Sequence, residues 1–236
     1  MVYKHAIIVG ASSGIGLELV KQLAASGCKV AGVARRAEKL EGLANVLAFK
    51  HDVTQFDEVP LLFQEITKQL GGLDLIVYSA GVMPAVGAHE YNFDKDREIV
   101  AVNLLGCVAW VNQAAIRFEN TRSGSIVAIG SVAGDRGRSG QPVYNMSKAG
   151  VATYMEAIRN RIARYGVNVV TIKPGPTRTE MTAALHLRGA MDPGKVARFI
   201  LKKANKTGEH YVKLAHRLTF YVIKRIPSPI FRKLHL

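Results

Sequence analysis

Two segments of the chain carry the pattern Tyr-x-x-x-Lys, Tyr91 to Lys95 and Tyr144 to Lys148. A phenol and an ammonium one helical turn apart form a proton-exchange pair. The free phenol titrates near pH ~10, too high for ready exchange at neutrality, and a neighbouring cation stabilises its phenolate. Eight tyrosines and sixteen lysines in 236 residues give about 0.5 such pairs by chance, so the spacing alone carries no weight. Context separates the two. Tyr144 opens the helical stretch YNMSKAGVATYMEAIRNRIARYG, which puts Lys148 on the same face, and it follows the apolar run GSIVAIG, whose end presents Ser131 thirteen residues upstream. Ser131 can donate to a substrate oxygen and orient it. Tyr91 has no such serine and is assigned to a loop, as a substrate contact or plain packing. Asn103, in Asn-Leu-Leu-Gly on an otherwise apolar helical run, is read as fixing a water that relays protons to Lys148, or else as a helix–helix hydrogen bond.

A second group of residues offers an anion site. Gly10-Ala11-Ser12-Ser13-Gly14-Ile15-Gly16 follows the first apolar run and directly precedes the helical LELVKQLAAS. Glycine at a strand-to-helix turn permits positive φ and close approach of backbone to phosphate, and the free amides of the helix start favour an anion. The second run ends at Ala34-Arg35-Arg36, with no Asp or Glu before Glu38 to accept from a ribose 2′-hydroxyl. The Arg35 guanidinium instead suits a 2′-phosphate, with Arg36 beside it and the Ser12 and Ser13 hydroxyls as further donors, which favours NADP(H) over NAD(H). His51-Asp52-Val53 follows the third run and Ser79-Ala80-Gly81 the fourth. Asp52 can accept from an adenine amino group, or serve only as an N-cap for a helix near Gln55. A hydride donor here and a proton donor at Tyr144 are together what reduction of a carbonyl requires.

The elements that must position these groups are legible as an alternation. Apolar, β-branched runs recur at KHAIIVG, KVAGVA, NVLAFK, LDLIVYSA, GSIVAIG, VNVVTIK and HYVKL, and helical periodicity fills most of the gaps. Strands apolar on both faces and separated by helices predict an α/β fold, a doubly wound, Rossmann-type parallel sheet in a single domain. Ligands then bind beyond the carboxyl ends of the strands.

GASSGIG, NLLG, Ser131 and YNMSK, in this order and at these intervals, resemble the short-chain dehydrogenase/reductase family in its short single-domain branch, over roughly residues 4 to 180. The resemblance implies that Tyr144 is the general acid/base, that Lys148 also holds the nicotinamide ribose, and that Ser131 and Asn103 complete a tetrad. Pro174-Gly175-Pro176-Thr177-Arg178-Thr179 resembles the loop that meets the nicotinamide amide, implicating Pro174, Gly175, Thr177 and Thr179. Ser79 stands where the family commonly has Asn, and Thr177 replaces the usual Val or Ile. A small-molecule carbonyl or alcohol substrate and a homo-oligomer are implied as well. The alternative is a non-catalytic NADPH-binding sensor or scaffold acting through the C-terminal segment.

Composition bounds the rest. With 48% hydrophobic residues the chain can bury one ordinary core. Its first apolar run is about five residues, shorter than the roughly 7 to 15 of a signal peptide, and no uninterrupted apolar segment approaches the roughly 20 of a membrane span. Cys28 and Cys107, read as strand and helix residues, form no disulfide framework or CxxC site, so a cytoplasmic setting and no metal are expected. The net charge of +14 is uneven: from Arg178 onward there are thirteen Lys/Arg against Glu180, Asp192 and Glu209. Residues 1–208 are read as the NADP-binding catalytic part. Residues 209–236 are read as the last strand and a basic amphipathic extension of the same domain, with Tyr211, Leu214, Ala215, Leu218, Tyr221 and Val222 on one helical face. That face is expected to pack on the domain or a partner subunit, with peripheral contact to anionic membrane through residues 211–236 as the other reading. No aromatic-basic groove supports nucleic acid as a partner. Asp135, Arg136 and Arg138, in the loop before Tyr144, are expected to face water in preference to an anionic substrate.

Overall fold

The computed structural model describes residues 3–185 and 189–234. Seven strands, β1 (His5–Val9), β2 (Lys29–Ala34), β3 (Val46–Lys50), β4 (Leu75–Tyr78), β5 (Ser125–Ile129), β6 (Asn168–Lys173) and β7 (Gly208–Tyr211), form one sheet in the order β3-β2-β1-β4-β5-β6-β7. Every pairing is parallel, with Ile7 of β1 opposite Ala31 on one side and Ile76 on the other. Six of the seven apolar runs contain the strands in full, whereas β7 shares only His210 and Tyr211 with the run HYVKL, which passes into α7 (Leu214–Ile223) at Leu214; Cys28 lies just before β2 instead of within it.

The alternation along β1 sorts the two layers. Ile7 and Val9 join Ile76, Tyr78, Ile126 and Ala128 on one face, under α2 (Val59–Leu70), α4 (Gly106–Thr121) and α5 (Pro142–Ile162). Ala6 and Ile8 join Leu75, Val77, Val127 and Ile172 on the other, under α1 (Gly14–Ala25) and α6 (Pro193–Lys203). Because both faces are covered, the central strands β1, β2, β4 and β5 are predominantly apolar. Local signals set the helix ends. Pro60 and Pro193 stand in the first turns of α2 and α6, the Asp192 carboxylate accepts from the Lys195 amide at 3.0 Å, and α2 stops at Gly71 with φ 82°.

α3 (Phe93–Ile99), a π turn (Val100–Leu105) and α4 run on as 29 helical residues, long and apolar enough by length and composition to cross a membrane. Half of its most apolar window is buried in the protein, and Cys107, Trp110 and Phe118 are wholly enclosed, so it is a core helix.

The strand order reverses between β1 and β4, which opens a crevice at their carboxyl ends. The chain closes with α7 (Leu214–Ile223) and α8 (Ser228–Phe231).

Candidate active site

A cleft of about 880 Å³ lies over this crevice and gathers residues from the ends of β1, β2, β4, β5 and β6. The turn after β1 forms its floor. Gly10 has φ 85°, and a Cβ there or at Gly16 would collide with the Ala80 backbone or the Gly10 carbonyl, so both positions demand glycine. The Gly10 and Ala11 amides are tied to the Val33 carbonyl at 2.8 and 3.1 Å. Ser13, the N-cap of α1, accepts no amide hydrogen bond with its side chain and no acid stands in the first turn, so the helix start is open to an anion. Ser12, Ser13, Gly14 and Ile15 line the cleft, and Gly16 lies behind them.

Arg35, Arg36, Asp52, Val53, Ser79, Ala80 and Gly81 line the same space. The two arginines differ. Arg36 is engaged by Glu180 at 2.7 Å, which also holds Lys39 at 3.1 Å, whereas among the described residues Arg35 has no ion pair. Asp52 does not cap the turn at Gln55. It accepts from the Thr54 amide at 3.0 Å and hydroxyl at 2.9 Å. Burial works to raise its pKa, but those bonds and the Arg35 charge outweigh it and hold the carboxyl below the ordinary range.

Ser131, at the end of β5, starts a 3₁₀ turn (Val132–Asp135) and accepts from the Ala133 amide at 3.0 Å. Tyr144 stands in the first turn of α5, with Lys148 one turn on. All three line the cleft. Burial pushes the Tyr144 pKa up, while the Ser131 hydroxyl and the Arg138 charge pull against it. Lys148 is buried with its ammonium 3.0 Å from the Ile129 carbonyl and 5.7 Å from the Tyr144 ring centre, and burial lowers its pKa to about 8. Burial is thus the largest influence on both groups, and the Ser131 hydroxyl and the Arg138 charge join the nearby Lys148 as neighbours of the phenol.

Asn103 sits on the π turn and is not part of the cleft wall. Its amide oxygen accepts from the Val82 amide at 2.7 Å, and its nitrogen donates to the Val82 carbonyl at 3.0 Å and to Ser147 Oγ at 3.2 Å. The side chain replaces a peptide partner for the segment after β4 and ties it to α5. Of the two expectations for Asn103, the bond to Ser147 is the helix–helix hydrogen bond.

Pro174, Gly175, Thr177 and Thr179 follow β6 and close the cleft from above. Thr182 Oγ1 donates to the Thr177 carbonyl at 2.6 Å, and the Thr179 side chain packs against Gly14, so this loop meets the glycine turn. Tyr91 and Lys95 are excluded from the site. Tyr91 is 96% exposed, and Lys95 bonds Glu90 and the Ala85 carbonyl.

Two elements of the site differ from expectation. Asp135 does not face water: its side chain is fully buried, with Lys173, Lys224 and Tyr211 Oη each at 2.8 Å. Burial alone would raise its pKa, but those three partners hold it below the ordinary carboxylate range. Arg136 reaches the Lys224 carbonyl and Ser228 Oγ and lies over the Phe231 ring at 4.6 Å. Arg138 lines the cleft. The tail, in turn, packs through the opposite face from the one read in sequence. His216 rests on the Gly175 backbone, His216 and Phe220 line the cleft, and Leu214, Leu218, Tyr221 and Val222 are exposed. The spacing His216, Phe220, Ile223 is the only sequence signal for this inner face. Residues 186–188, which follow the Pro174–Thr179 loop, and residues 235–236 of the tail lie outside the described residues.

The family model for short chain dehydrogenases matches residues 4–188. An uncharacterized oxidoreductase of Myxococcus xanthus is 33% identical over 191 residues, covering 78% of this chain and 76% of that protein. Among solved structures, a short-chain type dehydrogenase/reductase from Mycobacterium marinum has TM-score 0.80 and 26% identity, covering 89% of this chain and 94% of the other. ElxO, solved with NADP bound, has TM-score 0.81 at 20% identity, covering 92% and 99%, a likeness of fold alone.

Proposed function

The chain belongs to the short chain dehydrogenase family, and on that premise we propose that it is an NADPH-dependent reductase of a carbonyl, or oxidant of the matching alcohol, with Tyr144 as the general acid/base. The observation that carries this reading is a single cleft that holds an uncapped helix start at the glycine turn, an unpaired Arg35 and the Ser131–Tyr144–Lys148 group. The residues present fit the cofactor: backbone where a Cβ would collide, open amides for the pyrophosphate and a guanidinium for a 2′-phosphate. When bound, NADPH supplies hydride to the carbonyl carbon.

This chain's own residues handle the oxygen. The Tyr144 phenol is protonated at neutrality and so has a proton to give, and the Ser131 hydroxyl and Arg138 charge oppose the rise in pKa that burial causes. Ser131 donates to the carbonyl oxygen and orients it, and the phenolate left behind is met by Ser131 and Arg138 and by the Lys148 ammonium. Asn103 positions the Gly81–Val82 backbone along the cleft. Tyr144→Phe is expected to lower turnover by about 10²- to 10⁴-fold while NADPH binding persists. Full turnover in the variant would refute the assignment, and tight NADPH binding with no turnover across a panel of carbonyls and alcohols would favour the sensor reading.

A second reading concerns the outer face of the tail. Leu214, Leu218, Tyr221 and Val222 form an exposed apolar ridge flanked by Lys213, Arg217 and Arg225, with Ile230, Arg232, Lys233 and Leu234 beyond it, and no acid occurs after Glu209. Two such faces would repel each other electrostatically, which favours an anionic lipid surface over a second copy as the partner.

A further inference from the structure

We propose that Arg138 is an anion-recognition residue of the substrate site, so that the carbonyl compound turned over carries a carboxylate or a phosphate. This inference rests on the reading of the cleft as a reductase site and adds a substrate class to it.

Arg138 sits in the segment between Ser131 and α5, and the cleft wall includes its side chain. Its backbone is fixed, since the Asn145 side chain donates to the carbonyls of Arg138 at 3.3 Å and Gly140 at 3.1 Å. Its guanidinium is close enough to Tyr144 to act on the phenol electrostatically. The Nε is buried without a hydrogen-bond partner, and among the described residues no carboxylate pairs with the group. A buried guanidinium nitrogen left without an acceptor is costly unless a ligand supplies one, and the planar fork matches carboxylate or phosphate oxygens.

The acids lining the cleft leave this role open. Asp52 is bound by Thr54, Glu180 by Arg36 and Lys39, and Glu98, on α3, forms no ion pair with Arg138 among the described residues. Among the described residues the Arg138 guanidinium beside Tyr144 thus has no acid partner, as Arg35 has none at the cofactor end. The rest of the wall includes Val82, Met83, Pro84, Met181 and Phe220, which suits an apolar body behind the anion. His216 presents a second polar ring, with Nδ1 buried and unpartnered.

The test is a calorimetric titration of the enzyme saturated with NADP+, using hexanoate, hexyl phosphate and hexanamide. At least one anion is expected to bind the wild type about tenfold more tightly than the amide, a difference that one charge-assisted contact supplies. Which anion wins distinguishes carboxylate from phosphate. Arg138→Met is expected to abolish the preference with NADP+ affinity unchanged, and Arg138→Lys to restore part of it. Equal binding of all three ligands to the wild type, an unchanged preference in Arg138→Met, or a loss of NADP+ affinity in that variant would each overturn the inference. A wild type that binds no NADP(H) would instead refute the reading of the whole cleft. A turnover comparison of 3-oxohexanoate with its ethyl ester gives the kinetic counterpart: a larger loss of kcat/KM for the acid than for the ester in Arg138→Met is expected, and equal losses would mean that Arg138 acts only through Tyr144.

Discussion

Lys224, beyond the end of α7, places its ammonium 2.8 Å from Asp135 Oδ1, four residues after Ser131. The same carboxylate oxygen takes Lys173 from the end of β6, and Tyr211 of β7 donates to the other. One buried acid thus joins the turn that carries Ser131, the strand leading to the Pro174–Thr179 loop, and the C-terminal helix whose inner face enters the cleft.

Asp135→Asn should destabilise the protein by about 3 kcal/mol, the lower end for a broken buried pair, because Lys173 keeps Glu209 at 2.9 Å and Lys224 is partly exposed. Since the folded-state pKa of Asp135 is depressed, its contribution is complete well above the unfolded carboxyl value of about 4 and is lost as pH falls through the lower folded value. Denaturant melts at a series of pH values should show the gap between wild type and variant narrowing below pH ~4. A constant gap down to pH ~2 would contradict the linkage.

Arg35→Ala should weaken NADPH binding by about tenfold or more and leave NADH nearly unaffected, because one charge-assisted contact with a 2′-phosphate is removed. Fluorescence titrations of both cofactors measure this. Arg36→Ala should cost less, since Glu180 already engages that side chain. Equal NADPH and NADH affinities in the wild type would remove the cofactor preference altogether.

Lys148 titrates at about pH 8 because it is buried. If its ammonium holds the cofactor ribose, NADPH affinity should be flat below pH ~8 and fall above it, as the neutral amine loses the interaction. Lys148→Met should bind more weakly and show no such fall. A wild-type profile flat to pH ~9.5 would place the interaction elsewhere.

Vesicles containing phosphatidylglycerol should pellet the full chain, and phosphatidylcholine vesicles should not. Raising salt should release it, as screening predicts. Leu214→Glu with Leu218→Glu, on the exposed ridge and away from the inner face, should abolish pelleting without loss of turnover. Equal recovery on both vesicle types, or unchanged pelleting of the double variant, would exclude this partner.

The family, the strand and helix order and the glycine turn were legible in the sequence because each is a local or strictly periodic property. Strands buried on both faces read as continuous apolar runs, and a tight turn beside backbone admits only glycine. The positions of Ser131, Tyr144 and Lys148 in one cleft followed from chain order, since α/β sheets bring strand ends to one edge. What only the tertiary structure decided depends on partners distant in the chain. Asp135 looked like any loop acid, and its burial exists because β6, β7 and the tail bring Lys173, Tyr211 and Lys224 to it. The tail helix has apolar residues on more than one side, and periodicity cannot tell which side meets a neighbour. The fold turned Phe220 and His216 inward and left Leu214 and Leu218 outside. Enclosure, too, pushes the Tyr144 phenol up while Ser131 and Arg138 pull it down, none of which the four-residue spacing to Lys148 encodes.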